Sequence, residues 1–143
     1  MPSWLRDRIR YVALGAATIM VGLAVHLRGG ALNPAVRDVL GDALWAAMVT
    51  WVISAIAPKL SLPWRAAAAA ATAFVVEFSQ LIDQPTLNAL RRTNVGHLVL
   101  GNSFDPRDLV AYAAGVIAAV LFEWTTTANP RSRANAAFPA IDP

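Results

Sequence analysis

Four long apolar segments dominate what this chain can fold into. Ile9 to Leu27 carries one charge, Arg10, and otherwise only His26 near its end. Val39 to Ala57 carries only Asp42, Trp64 to Ile82 only Arg65 and Glu77, and Asp108 to Trp124 only Asp108 and Glu123. Each run approaches the ~20 apolar residues needed for a spanning helix. The chain of 143 residues has 57% apolar and 15% charged residues, and its mean hydropathy is +0.48. A soluble domain is usually about 25% charged. The sequence therefore predicts an all-α integral membrane four-helix bundle, with residues 1–125 as the membrane domain. Residues 126–143 are polar, include three prolines and show no periodicity, which predicts a disordered tail.

Punctuation supports these limits. Met1 to Arg10 is a basic leader, and with the following apolar run it could also form a signal peptide, with Gly22-Leu23-Ala24 as a weak cleavage site. The run exceeds the ~7–15 residues of a signal core, which favours an uncleaved span. Gly29-Gly30 breaks the chain. Asn33-Pro34 and Asp105-Pro106 each place a capping side chain before a helix-starting proline. Pro58 ends the second segment. The alanines Ala66 to Ala71 suit contact with other helices, as do Ala111, Ala114, Gly115, Ala118 and Ala119.

With four spans, Arg6, Arg8, Arg10, Lys59, Arg65, Arg131 and Arg133 lie at one end, and Arg28, Arg37, Arg91, Arg92 and Arg107 at the other. The positive-inside rule then puts both termini in the cytoplasm of a bacterial inner membrane. Trp4, Trp64 and Trp124 fall at the same interface, as an aromatic belt does. The net charge of +3 comes from residues spread over loops, so nucleic acid is not an expected partner. The expected partner is the lipid bilayer. With no cysteine in the chain, thiolate chemistry is excluded. No cofactor is expected, and a lone loop histidine, His97, makes no metal site.

The polar residues are concentrated at the outer ends of the spans. Asp42, Glu77, Gln80, Asp83 and Asp108 come from separate parts of the sequence to one depth. Ionisable groups within a membrane usually face the bundle interior or a wet cavity. Helical spacing puts Glu77, Gln80 and Gln84 on one face, and Asp108, Tyr112 and Gly115 on another. Glu77 is expected to pair with Arg91 or Arg92, whose donors would then face an anionic ligand. Asp42 is expected to pair with Arg37 or Arg28, and Asp108 either joins the site or serves its own helix N-terminus. The Asp83–Arg107 connection is long for a structureless loop. Its Gly96–Gly101 run suggests a re-entrant or interfacial lid. The candidate ligand-binding residues are Asp42, Glu77, Gln80, Arg91, Arg92, His97, Asp108 and Tyr112. Their expected ligand is a polar or anionic, envelope-related or lipid-linked group. Acid–base chemistry by Glu77 or Asp108, with His97 as helper, is the enzymatic alternative. Proton movement and a purely structural polar cluster are two others.

Five motifs in this order carry a resemblance. They are Gly41-Asp42-Ala43-Leu44-Trp45-Ala46, Glu77-Phe78-Ser79-Gln80, Leu87-Asn88-Ala89-Leu90-Arg91, Gly96-His97-Leu98-Val99-Leu100-Gly101 and Asp108-Leu109-Val110-Ala111-Tyr112. Over about Arg10 to Phe122 the chain resembles the bacterial membrane-protein family known as domain of unknown function 2809, which implies no activity. More distantly, Glu77, Gln80, a loop arginine, Asp108 and Gly115 look like the VanZ-like family, which implies a link to glycopeptide resistance and the cell envelope. Tyr112 stands where that family usually has asparagine.

Overall fold

The structure, a computed structural model, describes residues 2–101 and 103–127. The predicted tail, apart from residues 126 and 127, lies outside the described residues. Six α-helices and one short 3-10 turn make up the described chain, which contains no strand. The helices are α1 (Ser3–Arg28), α2 (Pro34–Ile56), α3 (Leu62–Ser79), α4 (Pro85–Arg91), α5 (Asn94–Leu100) and α6 (Pro106–Thr127).

The helix limits follow from local chemistry. The Asn33 side chain accepts the Ala35 N–H at 2.9 Å, and Pro34 at the first helical position loses no needed donor. Asp105 does the same for α6, its carboxylate accepting the Arg107 N–H at 2.9 Å. The basic leader is itself helical: α1 begins at Ser3, six residues before the apolar run. The third segment is shorter than its apolar stretch suggests, because α3 stops at Ser79. Gln84 therefore lies outside α3, at the start of α4, and does not continue the Glu77–Gln80 face. The long connection is not structureless, since it contains α4 and α5.

Helices α1, α2 and α6 are long and apolar enough to cross a membrane. At 1.5 Å per residue α1 is roughly 39 Å long, against a hydrocarbon core of ~30 Å. Helix α3 has 18 residues, roughly 27 Å on the same rise. Large apolar side chains cover the exterior: Val110 is 72% exposed, Trp64 71% and Val75 67%. A surface of this kind suits lipid and not water.

Small residues form much of the interior. Ala69 and Ala73 of α3 are buried with Ala46 of α2 and with Tyr112 and Val116 of α6. A second cluster joins α1 to the others through Tyr11, Trp51 and Ala119. Helices α2 and α6 approach closely at Gly115, where a Cβ would run into the Ala43 carbonyl of α2. That approach brings Asp42 on α2 next to the first turn of α6.

Candidate functional site

Glu77 is the best-buried charged residue of the described chain, with no exposed surface. It lies two residues before the end of α3, so helix depth alone does not hide it. The connection does. Its carboxylate accepts the Asp105 backbone N–H at 2.8 Å, the Gln80 amide at 2.9 Å and the Tyr112 hydroxyl at 3.1 Å. These donors come from the start of α6, the end of α3 and the second turn of α6. A buried carboxylate survives when its lone pairs are filled in this way.

Neither arginine supplies those bonds, contrary to the expected pairing. Arg91 is buried and serves the open carbonyls at the end of α3. It donates to the Ser79 carbonyl at 2.6 Å and the Ile82 carbonyl at 3.2 Å. The cause is local: α3 ends early, leaving unsatisfied carbonyls, and α4 lays Arg91 across them. Arg92 is exposed, and its side chain makes no hydrogen bond or ion pair among the described residues. His97 falls in α5, and its side chain lies outside the described residues.

The two aspartates are neighbours. Asp42 and Asp108 are half-buried, and their carboxyl groups are close enough to influence each other. Arg37 instead lies 3.9 Å from Asp38, its neighbour in sequence. Asp105 fills the helix-capping role, which leaves Asp108 free to face α2. Tyr112 stands among Asp42, Glu77 and Asp108 in one electrostatic neighbourhood. The structure thus brings together Asp42, Glu77, Gln80, Asp108 and Tyr112, and keeps Arg91 and Arg92 apart from the carboxyl groups.

Two polar atoms beside this cluster are buried without a hydrogen-bond partner: Gln80 Oε1 and Trp45 Nε1. The Trp45 ring lies 5.4 Å from that of Tyr112. The connection closes over Gln80 at Gly101, whose φ of 64° is left-handed. A Cβ there would stand 2.6 Å from the Gln80 amide nitrogen, so glycine answers both needs. The cluster can accept hydrogen bonds. Among the described residues, no group of three or more His, Cys, Asp or Glu side chains is arranged to hold a metal.

A family model for a protein of unknown function, DUF2809, matches residues 31–116, more than half of the chain. The chain belongs to this family. The DUF2809 match contains Asp42, Glu77, Gln80, Asp108 and Tyr112, so the whole carboxyl cluster lies inside it. No solved structure matches the chain.

A second polar cluster, at the opposite end, escaped the sequence reading. Arg65 of α3 forms a two-pronged ion pair with Glu123 of α6, at 2.7 and 3.2 Å. The Tyr11 hydroxyl of α1 donates to the same carboxylate at 2.7 Å. The Arg65 guanidinium also lies 5.2 Å from the centre of the Tyr11 ring. Read along the chain, Arg65 looks like an interfacial anchor and Glu123 like the end of a span. The available signal was opposite charge at one predicted depth in two segments.

Proposed function

We propose that this DUF2809 protein is a four-span inner-membrane protein that binds an envelope or lipid-linked group at the outer end of the bundle. Helix α3 is the fourth span, its shortfall in length covered by the polar connection. The group presents a cationic or hydrogen-bond-donating end to Asp42 and Asp108. A single observation carries this reading: the half-buried aspartates Asp42 and Asp108 lie next to Glu77, which has no exposed surface. An approaching group can reach the two aspartates but not Glu77. Both present acceptor oxygens, which suits an ammonium or hydroxyl-bearing head group better than an anion. The Nη1 and Nη2 groups of Arg91 are engaged by backbone carbonyls. The orphan Gln80 Oε1 is a further acceptor, and Trp45 Nε1 a donor, for an occupant to satisfy.

Cells carrying Asp42→Asn or Asp108→Asn test this proposal when challenged with antibiotics that act on the envelope. The reading expects altered sensitivity at unchanged protein abundance. Unchanged sensitivity in both variants, with the protein present, would sink it.

The structural alternative has its own support, since all three donors to Glu77 belong to the chain itself. On that reading the polar residues only fix the helices. Asp42 and Asp108 separate the two readings, because they are half-exposed and contribute little to the packed core.

A further inference from the structure

The termini end of the molecule holds a cleft that the carboxyl cluster does not involve. It has a volume of about 400 Å³, and its lining includes Trp4 and Arg8 of α1, Ile56 at the end of α2, and Pro58, Lys59 and Leu60 of the following turn. We propose that this cleft binds the head-group phosphate of an anionic phospholipid, with the acyl chains lying along the neighbouring apolar wall.

The charge at the cleft is wholly positive, and no acidic residue lines it. Arg8 is held in place: its Nη2 donates to the Ile56 carbonyl at 3.4 Å, and its guanidinium lies 5.6 Å from the centre of the Trp4 ring. The remaining N–H groups of that guanidinium are available to an anion. Lys59 is exposed and has no hydrogen bond or ion pair among the described residues. Two cations facing one space fit a phosphate monoester or diester.

The apolar wall distinguishes a lipid from free phosphate. Ile56 is 69% exposed and Leu60 48%, directly beside the basic pair. Trp4 stands at the same level, as tryptophan does at the head-group boundary of a bilayer. Basic residues at that boundary attract anionic lipid. This proposal depends on the membrane-spanning reading but not on the aspartate site, and the two can fail separately.

The test uses the full chain purified in a zwitterionic detergent. Its thermal unfolding is followed with short-chain phosphatidylglycerol, with short-chain phosphatidylcholine and with inorganic phosphate. In the wild type and in the variant joining Asp42→Asn with Asp108→Asn alike, phosphatidylglycerol is expected to raise the melting temperature, and the other two to leave it unchanged. Arg8→Gln combined with Lys59→Gln should weaken the phosphatidylglycerol effect about tenfold or more in the concentration required. Lys59→Gln alone, which removes an exposed cation with no ion pair among the described residues, should give part of that loss. Arg107→Gln, at the opposite end, should give none. An equal response to inorganic phosphate, or an undiminished phosphatidylglycerol response in the double variant, would overturn the proposal.

Discussion

At the scale of single residues, Glu77 and the two aspartates differ in what surrounds them. Glu77 has three neutral donors, from Asp105, Gln80 and Tyr112. Glu77→Ala leaves those donors unmet in a buried place, at about 1–3 kcal/mol for each group that finds no new partner. Its melting temperature in detergent should therefore fall well below that of Asp42→Ala, whose site is half-exposed. Tyr112→Phe removes one hydrogen bond to a charged group and should cost about 1.5–3 kcal/mol. Equal melting of Glu77→Ala and wild type would contradict this assignment of partners. The sequence indicated that Glu77 matters but misplaced its partners. Charge complementarity pointed to an arginine, while the short α3 diverted Arg91 to backbone carbonyls. A backbone N–H such as that of Asp105 has no sequence signature at all.

At the scale of helices, Gly115 and the Arg65–Glu123 pair govern how the elements meet. A side chain at residue 115 would strike the Ala43 carbonyl, a backbone group that cannot turn away. Gly115→Val should cost at least about 1–3 kcal/mol, the usual range for overpacking. Gly22→Val is the matched control, because nothing lies within 4 Å of a Cβ there, and it should unfold like wild type. Breaking the buried ion pair with Arg65→Met should cost about 3–5 kcal/mol, the usual range for removing one partner of such a pair. Replacing both, as Arg65→Met with Glu123→Leu, should recover most of that loss in unfolding experiments. Helix starts were legible in the sequence because Asn33-Pro34 and Asp105-Pro106 announce themselves locally. The end of α3 was not, since Gln80, Leu81 and Ile82 are all compatible with helix. What stops it there is tertiary: Arg91 and the connection take over its last carbonyls.

At the scale of the whole molecule, the two polar clusters lie at opposite ends of an apolar body. One cluster joins α1, α3 and α6 through Tyr11, Arg65 and Glu123. The other joins α2, α3 and α6 through Asp42, Glu77, Asp108 and Tyr112. The proposed orientation puts the first in the cytoplasm and the second outside. The absence of cysteine makes this directly testable by single-cysteine labelling. Ser3→Cys and Ser61→Cys should react with a membrane-impermeant maleimide only after permeabilisation, and Leu32→Cys and Asn88→Cys in intact cells. The reverse pattern would invert the molecule and put the carboxyl cluster on the cytoplasmic side. The all-helical, lipid-facing character was readable from apolar run length alone. The clusters were only half readable, because depth along a helix is set by sequence while direction around it depends on its neighbours.

If Asp42 and Asp108 form a working site for a donor-bearing head group, the protein should respond differently to two lipids that differ in that donor. Thermal unfolding of the purified full chain is followed with short-chain phosphatidylethanolamine, whose ammonium carries N–H donors, and with short-chain phosphatidylcholine, whose ammonium carries none. Phosphatidylethanolamine alone should raise the melting temperature of the wild type. In the variant joining Asp42→Asn with Asp108→Asn, that response should disappear while the protein without lipid unfolds at nearly the wild-type temperature. An equal response to both lipids, or a full phosphatidylethanolamine response in the variant, would contradict it.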